Sequence, residues 1–188
     1  MKAVYLTFDD GPHPLHTPEL LDVLARHGAS ATFFQVGKDV ERDPELTRRV
    51  VDEGHVVGNH TWSHPDLSAL SAAQGVDELQ RANAILADVL GGQPALFRPP
   101  YGRLGPTTRA DAAAAGLETV LWDIDPLDWD CPGADVIVTR VLEGAEDGTI
   151  VLLHDGGGDR SQTVDAVGQI IPALAARGFA FAALPMRS

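Results

Sequence analysis

Short apolar runs with strand character alternate with amphipathic helix-forming stretches along the whole 188-residue chain, and no linker breaks the rhythm. The strand-like runs are Ala3 to Phe8, Ala31 to Val36, His55 to His60, Leu96 to Arg98, Leu117 to Trp122, Thr149 to Leu153 and Phe179 to Leu184. Thr17 reads as the cap of a first helix, with Pro18 at its first position and Gly28 at its end. Asp43-Pro44 opens a second, whose apolar stripe closes at Val50 and Val51, and Ser71 caps a long third that stops at Gly91-Gly92. Thr107 to Ala115, Ala134 to Ala145 and Ser161 to Arg177 complete the helices. Such alternation fits either a doubly wound sheet or a closed (β/α) barrel. The short strands, their number and the polar residues at their ends favour the barrel, as one domain over residues 1–188.

In a barrel of this kind, side chains from distant points of the chain meet at the C-terminal ends of the strands. The first such end is Thr7-Phe8-Asp9-Asp10-Gly11-Pro12. Successive side chains near a strand end diverge, so Asp9 and Asp10 are expected to do different work, one at a metal and one at a reacting atom. His60 and His64 are four apart, a spacing that puts both imidazoles on one face if the segment is a helical turn. With Asp10 they make two nitrogen ligands and one oxygen ligand, three positions of a catalytic zinc. Arg98 stands on a loop stiffened by Pro99 and Pro100, where a guanidinium could orient a neighbouring carboxylate. His154 follows a pure strand and suits acid–base work, with Asp128 placed to orient it.

Among the other histidines, His27 reads as helix surface, His55 as a strand start, and His13 and His16 as loop polarity beside the site. Trp62, Trp122 and Trp129 lie in or beside the strand-end loops, where a flat indole could carry a sugar ring. Trp129 is the better groove wall, while Trp122 fits core equally well. Cys131, the only cysteine, reads as packing and permits no intrachain disulfide.

The net charge of −13 argues against nucleic acid as a partner. No apolar run approaches the roughly 18 residues of a membrane span, and the start of the chain has no export-signal pattern. The expectation is a monomer, either cytoplasmic or the trimmed form of a longer exported protein.

Five blocks in order carry a family resemblance: Thr7-Phe8-Asp9-Asp10-Gly11-Pro12, His60-Thr61-Trp62-Ser63-His64, Arg98-Pro99-Pro100-Tyr101-Gly102, Asp125-Pro126-Leu127-Asp128-Trp129 and Leu152-Leu153-His154. The chain resembles the polysaccharide deacetylases of the NodB-homology type, carbohydrate esterase family 4. That resemblance implies a distorted, incomplete (β/α) barrel. It implies one divalent metal, zinc first, with cobalt, nickel or manganese also tolerated, held by Asp10, His60 and His64. It implies Asp9 as general base tuned by Arg98, and His154 as general acid tuned by Asp128. Trp129 and Leu152 would wall an acetyl pocket, and the Tyr101 N–H would donate to an oxyanion. The implied activity is removal of N-acetyl groups from N-acetylglucosamine-containing poly- or oligosaccharides of the chitooligosaccharide or peptidoglycan type. The alternative is O-deacetylation of a polymer such as xylan. Two imidazoles and a carboxylate also suit a non-haem iron oxygenase, but an oxygenase has no need of Asp9 and His154. A binding module with an inactive site is the third reading, and the presence of every chemical position argues against it.

Overall fold

The computed structural model describes residues 2–185. Seven strands are β1 (Lys2–Gly11), β2 (Thr32–Gln35), β3 (Val56–Asn59), β4 (Leu96–Phe97), β5 (Glu118–Thr119), β6 (Thr149–His154) and β7 (Phe179–Phe181). Seven helices are α1 (His16–His27), α2 (Gly37–Arg42), α3 (Pro44–Asp52), α4 (Ala72–Leu90), α5 (Thr108–Ala114), α6 (Ala134–Gly144) and α7 (Ser161–Ala175). The strands are parallel in the order β5-β4-β3-β2-β1-β6, and β7 lies along the first residues of β1. Past β5 the chain swings round, and Ile124 bridges to Val151 on the far edge of β6. The ring is thus nearly drawn but not closed into a full barrel: the fold is the incomplete (β/α) barrel that the family resemblance implies.

Side-chain alternation builds two environments. Val4, Leu6 and Phe8 of β1, Phe33 of β2 and Val151 and Leu153 of β6 point outward and are buried under α1, α3, α4, α6 and α7. Tyr5, Phe34, Val56, Leu96 and Ile150 share an inner cluster with Leu184. Further along the same inward-facing positions come Thr7, Leu152, Asp9 and His154, so the inside turns from apolar to polar toward the strand ends. The register pairs Asp9 with His154, so these two leave neighbouring strands at the same height.

Several local expectations fail for identifiable reasons. Thr17 does not cap α1: its hydroxyl is buried, accepting from the His13 N–H and donating to Asp155. Val51 is exposed, and Val50 alone closes the stripe of α3. The short helix α2, between β2 and α3, was not anticipated. The run from Leu117 pairs as a strand only at Glu118–Thr119, because the Leu121 carbonyl accepts from Arg98 rather than from a neighbouring strand. The last strand ends at Phe181, and the chain then turns inward so that the Leu184 N–H donates to Thr32 Oγ1. Cys131 is exposed in a left-handed turn and packs no core. Asp43 and Ser71 cap α3 and α4 as read, Ser71 with a reciprocal capping box to Gln74.

Candidate metal centre and active site

A cavity of about 370 Å³ opens at the strand ends, lined by Asp9, Asp10, His60, His64, Tyr101, Trp122, Asp125, Trp129, Leu152 and His154. Eight of the ten expected site residues line it, and the other two, Arg98 and Asp128, are buried immediately behind.

Strict strand alternation would send Asp10 away from Asp9, yet both reach the cavity. The register of β1 against β2 shifts between Asp9 and Gly11, and Asp10 sits in that bulge with φ 73°. His60 and His64 are not on a helical turn either. They stand in a loop after β3 in which Thr61 (φ 68°) and His64 (φ 59°) are left-handed, and those reversals bring the imidazoles together. Their ring centroids are 5.0 Å apart.

Asp10 Oδ1 lies 3.0 Å from His64 Nε2 and 3.4 Å from His60 Nε2, and it is buried without a hydrogen-bond donor. His60 donates its Nδ1–H to the Arg98 carbonyl at 2.7 Å, which leaves the Nε2 lone pair facing Asp10. Burial would lower the proton affinity of His60, but Asp9 and then Asp10 outweigh it and raise it. Burial raises Asp10, and His60 and His64 together pull it well below the usual carboxylate range. The cluster is built to take up positive charge, and two nitrogen donors converging on an orphaned carboxylate oxygen fit one divalent metal ion.

Asp9 also reaches the cluster, its Oδ2 lying 3.6 Å from His60 Nε2, but its other oxygen is engaged elsewhere. Its Oδ1 accepts from Arg98 at 2.8 Å, and the same guanidinium nitrogen donates to Thr7 Oγ1. Arg98 is fully buried and stacks on Phe34, its guanidinium carbon 4.2 Å from the ring centre. On the other flank His154 donates Nδ1–H to Asp128 Oδ1 at 2.7 Å. Burial would lower His154, but the hydrogen bond and charge of Asp128, with Asp9 and Asp10, push it up to about 9. Tyr101 is left-handed (φ 59°), and among the described residues its N–H has no acceptor. Trp129 is half exposed at the rim, and Trp122 faces both the cavity and Arg98.

Sequence reasoning passed over Asp155. It is fully buried, accepts from Thr17 at 2.5 Å and touches Gly11, where a Cβ would stand 2.2 Å from its Oδ2. Burial pushes its carboxyl up to about 7, with Thr17 opposing and Asp10 and Asp9 adding. Asp125 entered only as the first residue of one matching block; it lines the cavity and accepts from the Leu127 N–H. His16 was read as loop polarity but is buried, accepting from the Arg160 N–H.

Residues 1–120 match the family model for polysaccharide deacetylase. The chain belongs to the polysaccharide deacetylase family. A chitooligosaccharide deacetylase of Bradyrhizobium is 48% identical over 98% of this chain and 90% of its own length. A peptidoglycan-N-acetylglucosamine deacetylase of Bacillus cereus is 44% identical over 96% of this chain and 85% of its own. Among solved structures, a family 4 carbohydrate esterase from Streptomyces lividans in complex with acetate superposes with TM-score 0.90 at 38% identity, covering 96% of this chain and 91% of that one. A family 4 pseudoenzyme of Bacillus anthracis superposes with TM-score 0.91 at 30% identity, covering 97% of this chain and 64% of that one. Since an inactive relative shares the deacetylase fold this closely, catalysis has to be argued from the site residues.

Proposed function

We propose that the protein is a zinc-dependent hydrolase that removes N-acetyl groups from N-acetylglucosamine-containing oligo- or polysaccharides, releasing acetate. The observation that carries the reading is the pair Asp9 and His154, side by side on β1 and β6 at the mouth of a cavity that also holds the Asp10, His60 and His64 cluster. A divalent ion bound there supplies Lewis acidity and lowers the pKa of water. Asp9, fixed by Arg98, takes a proton from the attacking water as its oxygen bonds to the acetamide carbon. The free N–H of Tyr101 donates to the oxygen that gains charge. His154 then gives its proton to the amine nitrogen as the C–N bond breaks, leaving acetate and a free amino sugar. Trp129 and Leu152 wall the space for the acetyl methyl.

Asp128 keeps His154 protonated at neutral pH, so a proton is available for a leaving amine, which must be protonated to leave, whereas an alcohol leaves more easily. The names of the relatives support N-acetylglucosamine polymers over acetylated xylan. The test is acetate release and mass spectrometry on chitooligosaccharide, peptidoglycan and acetylxylan, before and after chelation and zinc add-back. Loss of one acetyl group per modified amino sugar, abolished by chelator and restored by zinc, is the expected result. Release from acetylxylan alone, or release indifferent to chelator, would overturn it.

A further inference from the structure

Thr163 lies in the first turn of α7, fully buried, and a threonine there ordinarily bonds to nearby backbone. Its hydroxyl instead reaches 35 residues back along the chain to donate to Asp128 Oδ2 at 2.7 Å. The same oxygen accepts from the His154 N–H at 2.9 Å, while Asp128 Oδ1 accepts from His154 Nδ1 at 2.7 Å. Asp128 is thus a buried carboxylate held by three donors, two from His154 and one from Thr163. The neighbouring Gln162 accepts from the Gly133 N–H at 2.6 Å, so the loop carrying Asp128 and Trp129 is docked on the start of α7.

We propose that Thr163 is a positioning residue for the leaving-group acid, its hydroxyl fixing Asp128 and, through Asp128, the orientation and hold of the proton on His154. The proposal rests on the reading of His154 as that acid. A buried carboxylate oxygen that loses one of two donors finds no water to replace it. Its charge then falls more heavily on the imidazolium N–H, which keeps its proton more tightly and transfers it less readily. The consequence is selective, because it touches only steps that need a proton delivered.

The experiment compares Thr163→Val, Thr163→Ser and His154→Ala on a chitooligosaccharide and on an activated aryl acetate, with metal content measured for each. For Thr163→Val the expected result is a kcat on the amide about tenfold lower, the size of one lost buried hydrogen bond, with KM within about twofold. The basic limb of its pH profile should move to higher pH, and most aryl acetate turnover should be kept. Thr163→Ser, which keeps the hydroxyl, should return to near the wild-type values. If the valine variant does not fold, Thr163→Ala carries the same comparison. Equal losses on both substrates, or a basic limb that stays in place, overturns the proposal. If His154→Ala is selective for the amide and Thr163→Val is not, only the proposal falls; if His154→Ala is itself unselective, the reading of His154 falls with it.

Discussion

On one side of the cavity the metal cluster stands on backbone that has left the ladders: Asp10, Thr61 and His64 are all left-handed, with φ of 73°, 68° and 59°. On the other side His154 ends a regular six-residue strand, and its geometry is set by Asp128 and by Thr163 from a helix. Left-handed backbone at non-glycine residues costs on the order of 1–3 kcal/mol each and persists only where the surroundings over-determine it. The metal-side residues therefore stand on left-handed main chain themselves, whereas His154 ends a regular strand and is fixed by side-chain hydrogen bonds, with left-handed backbone entering only at Leu127 and Cys131 around its partner Asp128. Substitutions should reveal the difference, acting through metal affinity on the first side and through proton delivery on the second.

The largest effect is expected on the metal side. His60→Ala and His64→Ala should each lose more than about 100-fold in metal affinity, beyond what a change in a supporting residue costs, and activity should fall with the metal. Asp10→Ala should behave the same way, while Asp9→Asn should keep its metal and lose about 10²–10⁴ in turnover. Elemental analysis alongside kinetics checks this, and full metal occupancy in the histidine variants would dissolve the contrast.

Next in size is the acid side. His154→Ala should lose about 10²–10⁴ on an N-acetyl substrate and far less on an activated aryl acetate, with metal content unchanged. On the proposed mechanism the acting form of His154 is protonated, so amide turnover should hold below and decline as pH rises through about 9. The stability that His154 draws from Asp128 has the same sign. Its folded value is raised above the ordinary 6.5, so that contribution is complete below pH 6.5 and is lost as pH rises through about 9. Thermal melts of wild type and Asp128→Asn across that window measure it, and parallel curves would refute it.

A smaller effect tests the backbone directly. Gly157 has φ 72°, and a Cβ there would stand 2.5 Å from Asp10 Oδ2. Gly157→Ala should push Asp10 off line and weaken metal binding by about 10–100-fold, although residue 157 offers no ligand. An unchanged metal affinity would mean that Asp10 is held by something other than the wrap of that loop.

The smallest effect is a control remote from both sides. Ser71→Ala removes the capping box of α4 and should lower stability by about 1 kcal/mol, read as a shift in the denaturation midpoint with kcat and KM unaltered. A change in kcat would show that α4 is coupled to the site.

The meeting of Asp9, Asp10, His60, His64 and His154 in one cavity was legible in the sequence because residue type and position at strand ends carry that information, but the reasons the spacing suggested were partly wrong. His60 and His64 converge through left-handed loop residues rather than one helical turn, and Asp10 turns inward through a bulge rather than by alternation. Neither feature leaves a signal in a single sequence when the left-handed residue is Asp, Thr or His instead of Gly. Asp155 and Thr163 escaped notice because their partners lie 138 and 35 residues away, and a lone Asp or Thr is common in any loop or first turn. The alternation of strands and helices was read well where periodicity is strong, as in α4 and α7, and poorly at β5, where a guanidinium takes a carbonyl that the ladder would have used.

The central strand β1 is also the earliest to be made, and its neighbours β6 and β7 come last: Thr7 donates to a carbonyl 144 residues further on. At synthesis rates of about 5–20 residues per second, that gap keeps β1 waiting on the order of ten seconds for its partner. During that interval Val4, Leu6 and Phe8 can be covered from one side only, by β2 and the early helices. A nascent chain stalled before residue 149 should therefore hold an open apolar edge, a natural target for a holding chaperone. Shielding should become dispensable only once Leu184 has turned in beneath the barrel.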